Sequence, residues 1–282
     1  VDGPVTECVA VAPGVELYTR HWAADGTPRF LLVHGLASNC LTWDGVARRL
    51  HEHGHPVTSI DLRGHGQSAK PDDGYDFATL TDDLLAVLDH LEWPRAVVVG
   101  QSTGGNLAVE LAARAPARVA GAVGVDGGFI ELQTRWPRYE DCEQALAPPA
   151  LDGMPRSRVA AAMRATHRDW SDEGIDATLA NLAVLSDGTV RPWLTRERHL
   201  RILRALWEHR PSKVIAATQV PLLLVPADSG DAWSRGKRVE IDRAAAGGRD
   251  VQVRWFAPAD HDVHVQHPVE LADVLHDWAT SP

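Results

Sequence analysis

Several short stretches of this chain are apolar at nearly every position. Residues 30–33 (Phe-Leu-Leu-Val), 97–99 (Val-Val-Val) and 119–125 show no polar alternation, and residues 57–60 (Val-Thr-Ser-Ile) come close to it. A strand with one wet face alternates with period two, so unbroken runs predict strands covered on both faces. Between them the spacing turns helical. Trp43, Val46, Ala47 and Leu50 share one face of residues 43–51, and positions 77, 80, 84, 85, 87, 88 and 91 share one face of residues 77–91. Thr79 or Thr81 is the expected cap of the second helix, and Pro94 closes its exit. Residues 8–11 and 15–22 flank Pro13-Gly14 and predict a hairpin ahead of the alternating part. Strand following helix in this order predicts an α/β fold with a mostly parallel sheet and helices on both sides.

The rhythm breaks at residue 129. From there to residue 217 the chain is helical or loop-like, dense in Trp, Pro and Arg, and without a strand of the buried type. Apolar runs return at 220–225 and 251–256, separated by a helix over 234–246 and followed by one over 268–278. The expected division is a core of residues 1–128 and 218–282 with a helical lid of residues 129–217. Trp136, Trp170, Trp193 and Trp207, with Tyr139, either line an apolar pocket or fill the core between lid and main domain. Trp136, Trp193 and Tyr139 are the substrate-contact candidates.

Charge and cysteine usage narrow the function. The formal net charge is −10, and no Lys/Arg cluster stands clear of the acids, which argues against a nucleic-acid partner. Cys8, Cys40 and Cys142 lack C-x-x-C spacing, so free thiols are expected rather than disulfides or a zinc site. Without an apolar run of about 18 residues or a leader pattern, the expectation is a cytoplasmic protein with no membrane partner. His51-Glu52-His53-Gly54-His55 suggests a metal cluster, but it lies where a surface helix ends, and histidine is favoured there by the helix dipole.

The chemistry centres on Gly100-Gln101-Ser102-Thr103-Gly104-Gly105, which joins an apolar strand to a helix. Gly-x-Ser-x-Gly at a strand-to-helix corner places a serine hydroxyl at a sharp, strained turn, with a helix N-terminus aimed at whatever it attacks. A phosphate-binding turn is the competing reading, but the Lys-Ser/Thr of a P-loop and the Gly-x-Gly-x-x-Gly of a dinucleotide site are both missing. A serine hydroxyl is a weak nucleophile, so it needs a histidine base and an acid to orient that base.

Four ordered motifs then stand together: His34-Gly35, Asp61-x-Arg63-Gly64-His65-Gly66-x-Ser68, Gly100-x-Ser102-x-Gly104-Gly105, and a late His261 with Pro268 seven residues on. Over nearly its whole length the chain resembles the α/β-hydrolase family. The resemblance implies a mostly parallel, doubly wound α/β-hydrolase sheet with an inserted helical cap. Ser102 is then the nucleophile and His261 the base, with His264 its rival, while the amides of Leu36 and Thr103 match the family's two oxyanion donors. His65 matches a structural turn residue.

The acid departs from the commoner pattern, whose position falls at Gly230 between Asp228 and Asp231. Haloalkane dehalogenases and zearalenone lactonases place it 24 residues after the nucleophile instead, which is Asp126 here. Asp126 is therefore favoured, with Asp228 and Asp231 as alternatives. No metal or cofactor is implied. The expected activity is hydrolysis of a carboxylic ester or lactone of a small hydrophobic molecule, a zearalenone-type macrolactone included. The alternatives are C–C bond hydrolysis, haloperoxidase-like perhydrolysis and, from another class, non-catalytic ligand sensing.

Overall fold

The structure is a computed structural model describing residues 3–230 and 232–281. Six strands precede the break in the pattern: β1 (Val5–Ala12), β2 (Val15–Trp22), β3 (Phe30–Val33), β4 (Val57–Ile60), β5 (Ala96–Gln101) and β6 (Val119–Val125). Strands β7 (Leu182–Val184) and β8 (Val190–Pro192) form a separate antiparallel pair, and β9 (Leu222–Val225) and β10 (Val251–Val253) rejoin the main sheet. That sheet runs β1-β2-β4-β3-β5-β6-β9-β10, antiparallel at β1/β2 and β2/β4 and parallel elsewhere. Strands β3, β4, β5 and β9 are buried at every residue, β4 with its polar Thr58 and Ser59 included.

Helices cover both faces. On one side α1 (Asp44–Glu52), the short α11 (Val263–Gln266) and α12 (Pro268–Thr280) close a core that holds Phe30, Leu32, Trp43, Val99, Val263 and Leu271. On the other, α2 (Phe77–His90), α3 (Thr103–Arg114), α9 (Pro211–Ala217) and α10 (Ala232–Gly247) close a core around Leu31, Val98, Leu107, Leu224 and Ile241. The cap of α2 is Asp76 rather than either threonine. Its carboxylate accepts the Thr79 amide at 2.9 Å, whereas the Thr81 hydroxyl turns back onto Phe77 O at 2.8 Å.

Between β6 and β9 lie α4 (Leu132–Arg135), α5 (Tyr139–Leu146), α6 (Arg156–Thr166), α7 (Asp172–Leu179), β7, β8, α8 (Arg196–Glu208) and α9. The expectation of helix and loop alone misses the β7/β8 pair. Each strand has three residues, and essentially one apolar residue of each, Leu182 and Val190, enters the small core formed with Trp170, Ile175 and Leu179. So little burial leaves no period to detect. By contrast, Cys142, Leu203, Leu206 and Ile215 belong to the same buried cluster as the sheet.

The Asp61-x-Arg63-Gly64-His65-Gly66 turn shapes the mouth of the sheet. Asp61 accepts the Cys40 and Gln67 amides at 2.7 Å each, and Arg63 makes a buried two-pronged pair with Asp83 at 2.6 Å. Burial pushes His34 down to about 4 and His65 down to about 3, so both rings are neutral. With its Nδ1 donating to Gly35 O, His34 accepts the Leu62 amide on Nε2. His65 donates to Arg63 O and accepts the Ala37 amide. These bonds fix the loop that carries Leu36.

Candidate active site

Ser102 stands where β5 breaks into α3, with φ 53° and ψ −120°, a conformation costing a non-glycine residue about 1–3 kcal/mol. Its neighbours hold it there. The Ser102 amide donates to Val125 O at 2.9 Å, and Gly105 N donates to Ser102 O at 2.9 Å. A Cβ on Gly100 would overlap the Gly104 carbonyl, and one on Gly104 would sit 2.6 Å from His34 O and closer still to Val33 O. One on Gly127 would lie 2.7 Å from Ser102 N and 2.8 Å from its Cα. The glycines are thus required by close backbone approach on both sides of the serine.

Asp126 follows β6, itself at positive φ (40°) and 3 % exposed. Its Oδ2 lies 2.6 Å from Nδ1 of His261, which projects from the loop between β10 and α11. The Ala227 amide donates to Oδ1 at 3.0 Å, and Lys237 Nζ donates to both oxygens, at 2.7 and 2.9 Å. Burial raises the Asp126 carboxyl, but the hydrogen bond and charge of His261, with the charge of Lys237, outweigh it and hold Asp126 below the usual range. Burial likewise lowers His261, and the hydrogen bond and charge of Asp126 more than reverse it, leaving its pKa raised. About half of the His261 side-chain surface stays accessible, and the ring lines the same cleft as Ser102.

The rival assignments fall elsewhere. Asp228 bonds Gly230 N at 2.9 Å and pairs with Arg238, with no bond to a histidine. Asp231 lies outside the described residues. His264 is buried against Trp43, ring centroids 4.5 Å apart, and burial pushes it down to about 3. Its position three residues beyond His261 turns it into the core.

A cleft of about 850 Å³ opens at the carboxyl ends of the parallel strands and brings together Leu36, Ser102, Thr103, Asp126, Lys237 and His261. Leu36, Ile130, Leu132, Trp136, Leu146, Leu203 and Leu206 form its apolar wall, and Glu131, Arg135, Glu240 and Arg243 a charged rim. Of the three expected substrate contacts, Trp136 lines this cleft, while Tyr139 and Trp193 do not. Tyr139 donates to Leu200 O at 3.0 Å and packs edge-on against Trp207, its centroid 5.8 Å away. Trp193 lies under the Lys70 ammonium, 4.9 Å from its ring centroid. Tyr139 packs against the main core and lines a separate pocket with Leu200 and Arg204, and a count of aromatic residues does not tell these placements from the wall of the serine cleft. Trp170 stacks on His167 at 3.9 Å within the small core.

Residues 28–163 match the family described as the alpha/beta hydrolase fold. An esterase of Mycobacterium tuberculosis is 29 % identical over 288 residues, covering 98 % of this chain and 90 % of that protein. A non-heme chloroperoxidase of Streptomyces lividans is 36 % identical over 117 residues, or 41 % of this chain and 42 % of that protein. Among solved structures, E-2-(acetamidomethylene)succinate hydrolase superposes with a TM-score of 0.82 at 22 % identity, over 99 % of this chain and 100 % of that one. The chain is an α/β-hydrolase-fold protein. Within that fold, the acidic partner of the late histidine comes from the end of β6, next to the serine strand, and not from the end of β9.

Leu36 and Thr103 line the same cleft as Ser102. Neither backbone amide donates to a protein acceptor among the described residues. Gly35 lets the Leu36 loop approach, since a Cβ there would lie 3.0 Å from Ser102 Cβ and 3.2 Å from Gln101 O.

Sequence reasoning missed Lys237. The signal was present: Ser234, Lys237, Ile241 and Ala244 are the buried positions of α10, spaced by three or four, and a lysine on that stripe must meet a counter-charge or not be buried. As for the His51–His55 stretch, His53 bonds Asp273 and stacks on His276 at 4.1 Å, and His55 Nε2 meets His276 Nδ1 at 2.8 Å. Among the described residues no three His, Cys, Asp or Glu side chains group as metal ligands, and no helix is long and apolar enough to cross a membrane.

Proposed function

We propose that this protein is a serine hydrolase of carboxylic esters or lactones, with Ser102 as nucleophile, His261 as general base and Asp126 as the acid that orients it. The observation carrying this reading is the 2.6 Å contact of His261 Nδ1 with Asp126 Oδ2 in the cleft that also holds the strained Ser102. Asp126 accepts from His261 Nδ1–H, which leaves the Nε2 lone pair to take the serine proton.

Ser102 Oγ attacks the carbonyl carbon as its proton passes to His261 Nε2. The negative charge that forms on the carbonyl oxygen is met by the Leu36 and Thr103 amides, and one such donor is worth roughly 100- to 1,000-fold in rate. Collapse of the tetrahedral adduct expels the alcohol, which leaves with the proton from His261. A water molecule, deprotonated by the same ring, then attacks the acyl-enzyme and returns free acid and Ser102. No step calls on a metal or organic cofactor.

The apolar wall from Leu36 to Leu206 supports a hydrophobic acyl or lactone substrate, and about 850 Å³ leaves room for a bulky one, a zearalenone-type macrolactone included. The similarity to a chloroperoxidase over 117 residues supports a second use of the same acyl-enzyme, with hydrogen peroxide replacing water as acceptor. The test is turnover of aryl esters of increasing chain length, of small and large lactones, and of a β-diketone, each with and without peroxide. Ester or lactone turnover abolished by Ser102→Ala is expected. Cleavage of the β-diketone alone would replace ester hydrolysis with C–C hydrolysis, and tight ligand binding without turnover would favour a sensor.

A further inference from the structure

Lys237 has no role in the steps above, yet it is bound to their acid. Its side chain is 8 % exposed, and its ammonium donates to both oxygens of Asp126 and, at 2.9 Å, to Ala227 O. Ala227 in turn donates its own amide to Asp126 Oδ1, and Asp126 donates its amide to Val225 O at 2.8 Å. Lys237 therefore ties α10, a wall of the cleft, to the ends of β6 and β9. Three contacts from two donors, the Ala227 amide and the Lys237 ammonium, thus hold both carboxylate oxygens beside the one from the His261 ring.

We propose that Lys237 is a positioning residue of the hydrolytic site: it holds the Asp126 carboxylate square to His261 and offsets part of its charge, so that His261 stays an unprotonated base to lower pH than Asp126 alone would allow. The inference rests on the hydrolase reading above. The ammonium lies 2.9 Å from the oxygen that is itself 2.6 Å from His261 Nδ1, so the two cationic centres in the protonated state are within about 5–6 Å. At an effective dielectric constant of 20 to 40, a unit charge at that distance changes a pKa by roughly one to two units. The other charged or titratable groups around His261 include Asp260 and Asp262 on either side of it in the loop and His264 from α11, with His167 meeting Asp260 and Asp262 from the α6–α7 connection. Asp262 favours the protonated ring, as Asp126 does, and Lys237 opposes both. Burial of a lysine on an acid also makes α10 dependent on the site, since removal of either partner leaves a buried charge alone.

The test is the pH dependence of kcat/KM in Lys237→Met, Lys237→Gln and Lys237→Arg, each checked by thermal melt. Ser102-dependent turnover in the unaltered protein is established first; its absence would sink the hydrolase reading and leave no site for Lys237 to serve. Given that turnover, the acidic limb is expected to move upward by roughly one to two pH units in the Met and Gln variants and to stay in place in the Arg variant. A limb that stays fixed in the neutral variants, with activity lowered equally at every pH, would overturn the proposal. So would loss of fold in both neutral variants, which would make the ion pair a structural tie and nothing more.

Discussion

Replacing Asp126 by asparagine removes one charge and almost no volume, and the consequences follow from who donates to whom. All the partners of the carboxylate are donors: His261 Nδ1–H on Oδ2, the Ala227 amide on Oδ1, and Lys237 on both. An asparagine has one acceptor oxygen and an NH₂ group that must face a donor. If its oxygen stays with Ala227 and Lys237, the NH₂ faces His261, whose Nδ1 must then accept. That moves the ring proton to Nε2, the atom that has to receive the proton from Ser102. Loss of the correct tautomer costs a serine hydrolase roughly 10⁴-fold in kcat, which is about 5.4 kcal/mol of barrier. A second effect falls on stability, because Lys237 is left buried without its counter-charge, at about 3–5 kcal/mol. Activity is therefore measured per folded molecule, with the folded fraction taken from a melt. The double variant Asp126→Asn/Lys237→Met removes both charges, and it is expected to recover part of the lost stability while remaining inactive. Asp228→Asn, which removes a partner of Arg238 only, is expected to stay within a few-fold of the unaltered enzyme. If Asp126→Asn kept more than about a tenth of kcat, the tautomer argument and the assignment of the acid would both be wrong.

Three further outcomes are expected. A methyl group in Gly127→Ala would press on the Ser102 backbone, so stability should fall by at least about 1–3 kcal/mol and acylation should slow more than the drop in folded fraction explains; an unchanged melt and rate would contradict the tight packing of the elbow. Asp83→Ala strands Arg63 in the core and should cost about 3–5 kcal/mol in denaturant unfolding, while the molecules that remain folded keep their kcat. With His261 as the proposed neutral base and its pKa raised, activity should disappear as pH falls through a value above the ordinary 6.5; a limb below 6.5 would contradict the Asp126 contact. Asp126 itself has a depressed pKa, so its contribution to stability is present above the ordinary carboxylate range and lost as pH falls through its lower folded value.

The sheet was legible because its strands are buried on both faces: runs such as residues 30–33 and 119–125 can be little else, and the glycines around Ser102 announce a backbone approach that only a missing Cβ permits. The cap of α2 was misplaced by three or five residues, since Asp76, Thr79 and Thr81 all suit a helix start and only the hydrogen bond of Asp76 to the Thr79 amide decides between them. The β7/β8 pair was invisible because two buried side chains make no pattern. In the insertion, tryptophan content indicated apolar burial without saying against what: Trp136 faces the cleft, Trp170 a separate small core, and Trp193 a lysine. Lys237 was hidden for another reason. Charged residues are normally read as a helix's outer face, and a lysine on the inner stripe is explained only by a carboxylate that arrives from a residue 111 positions away.

The central claim, that Ser102 is a nucleophile activated through His261 and Asp126, is tested most directly by intact-protein mass after reaction with a fluorophosphonate. One adduct is expected on the unaltered protein, mapped by peptide sequencing to Ser102, absent in Ser102→Ala and formed far more slowly in His261→Ala and Asp126→Asn. Labelling that survives Ser102→Ala, or that proceeds at the same rate without His261 or the Asp126 charge, would contradict it.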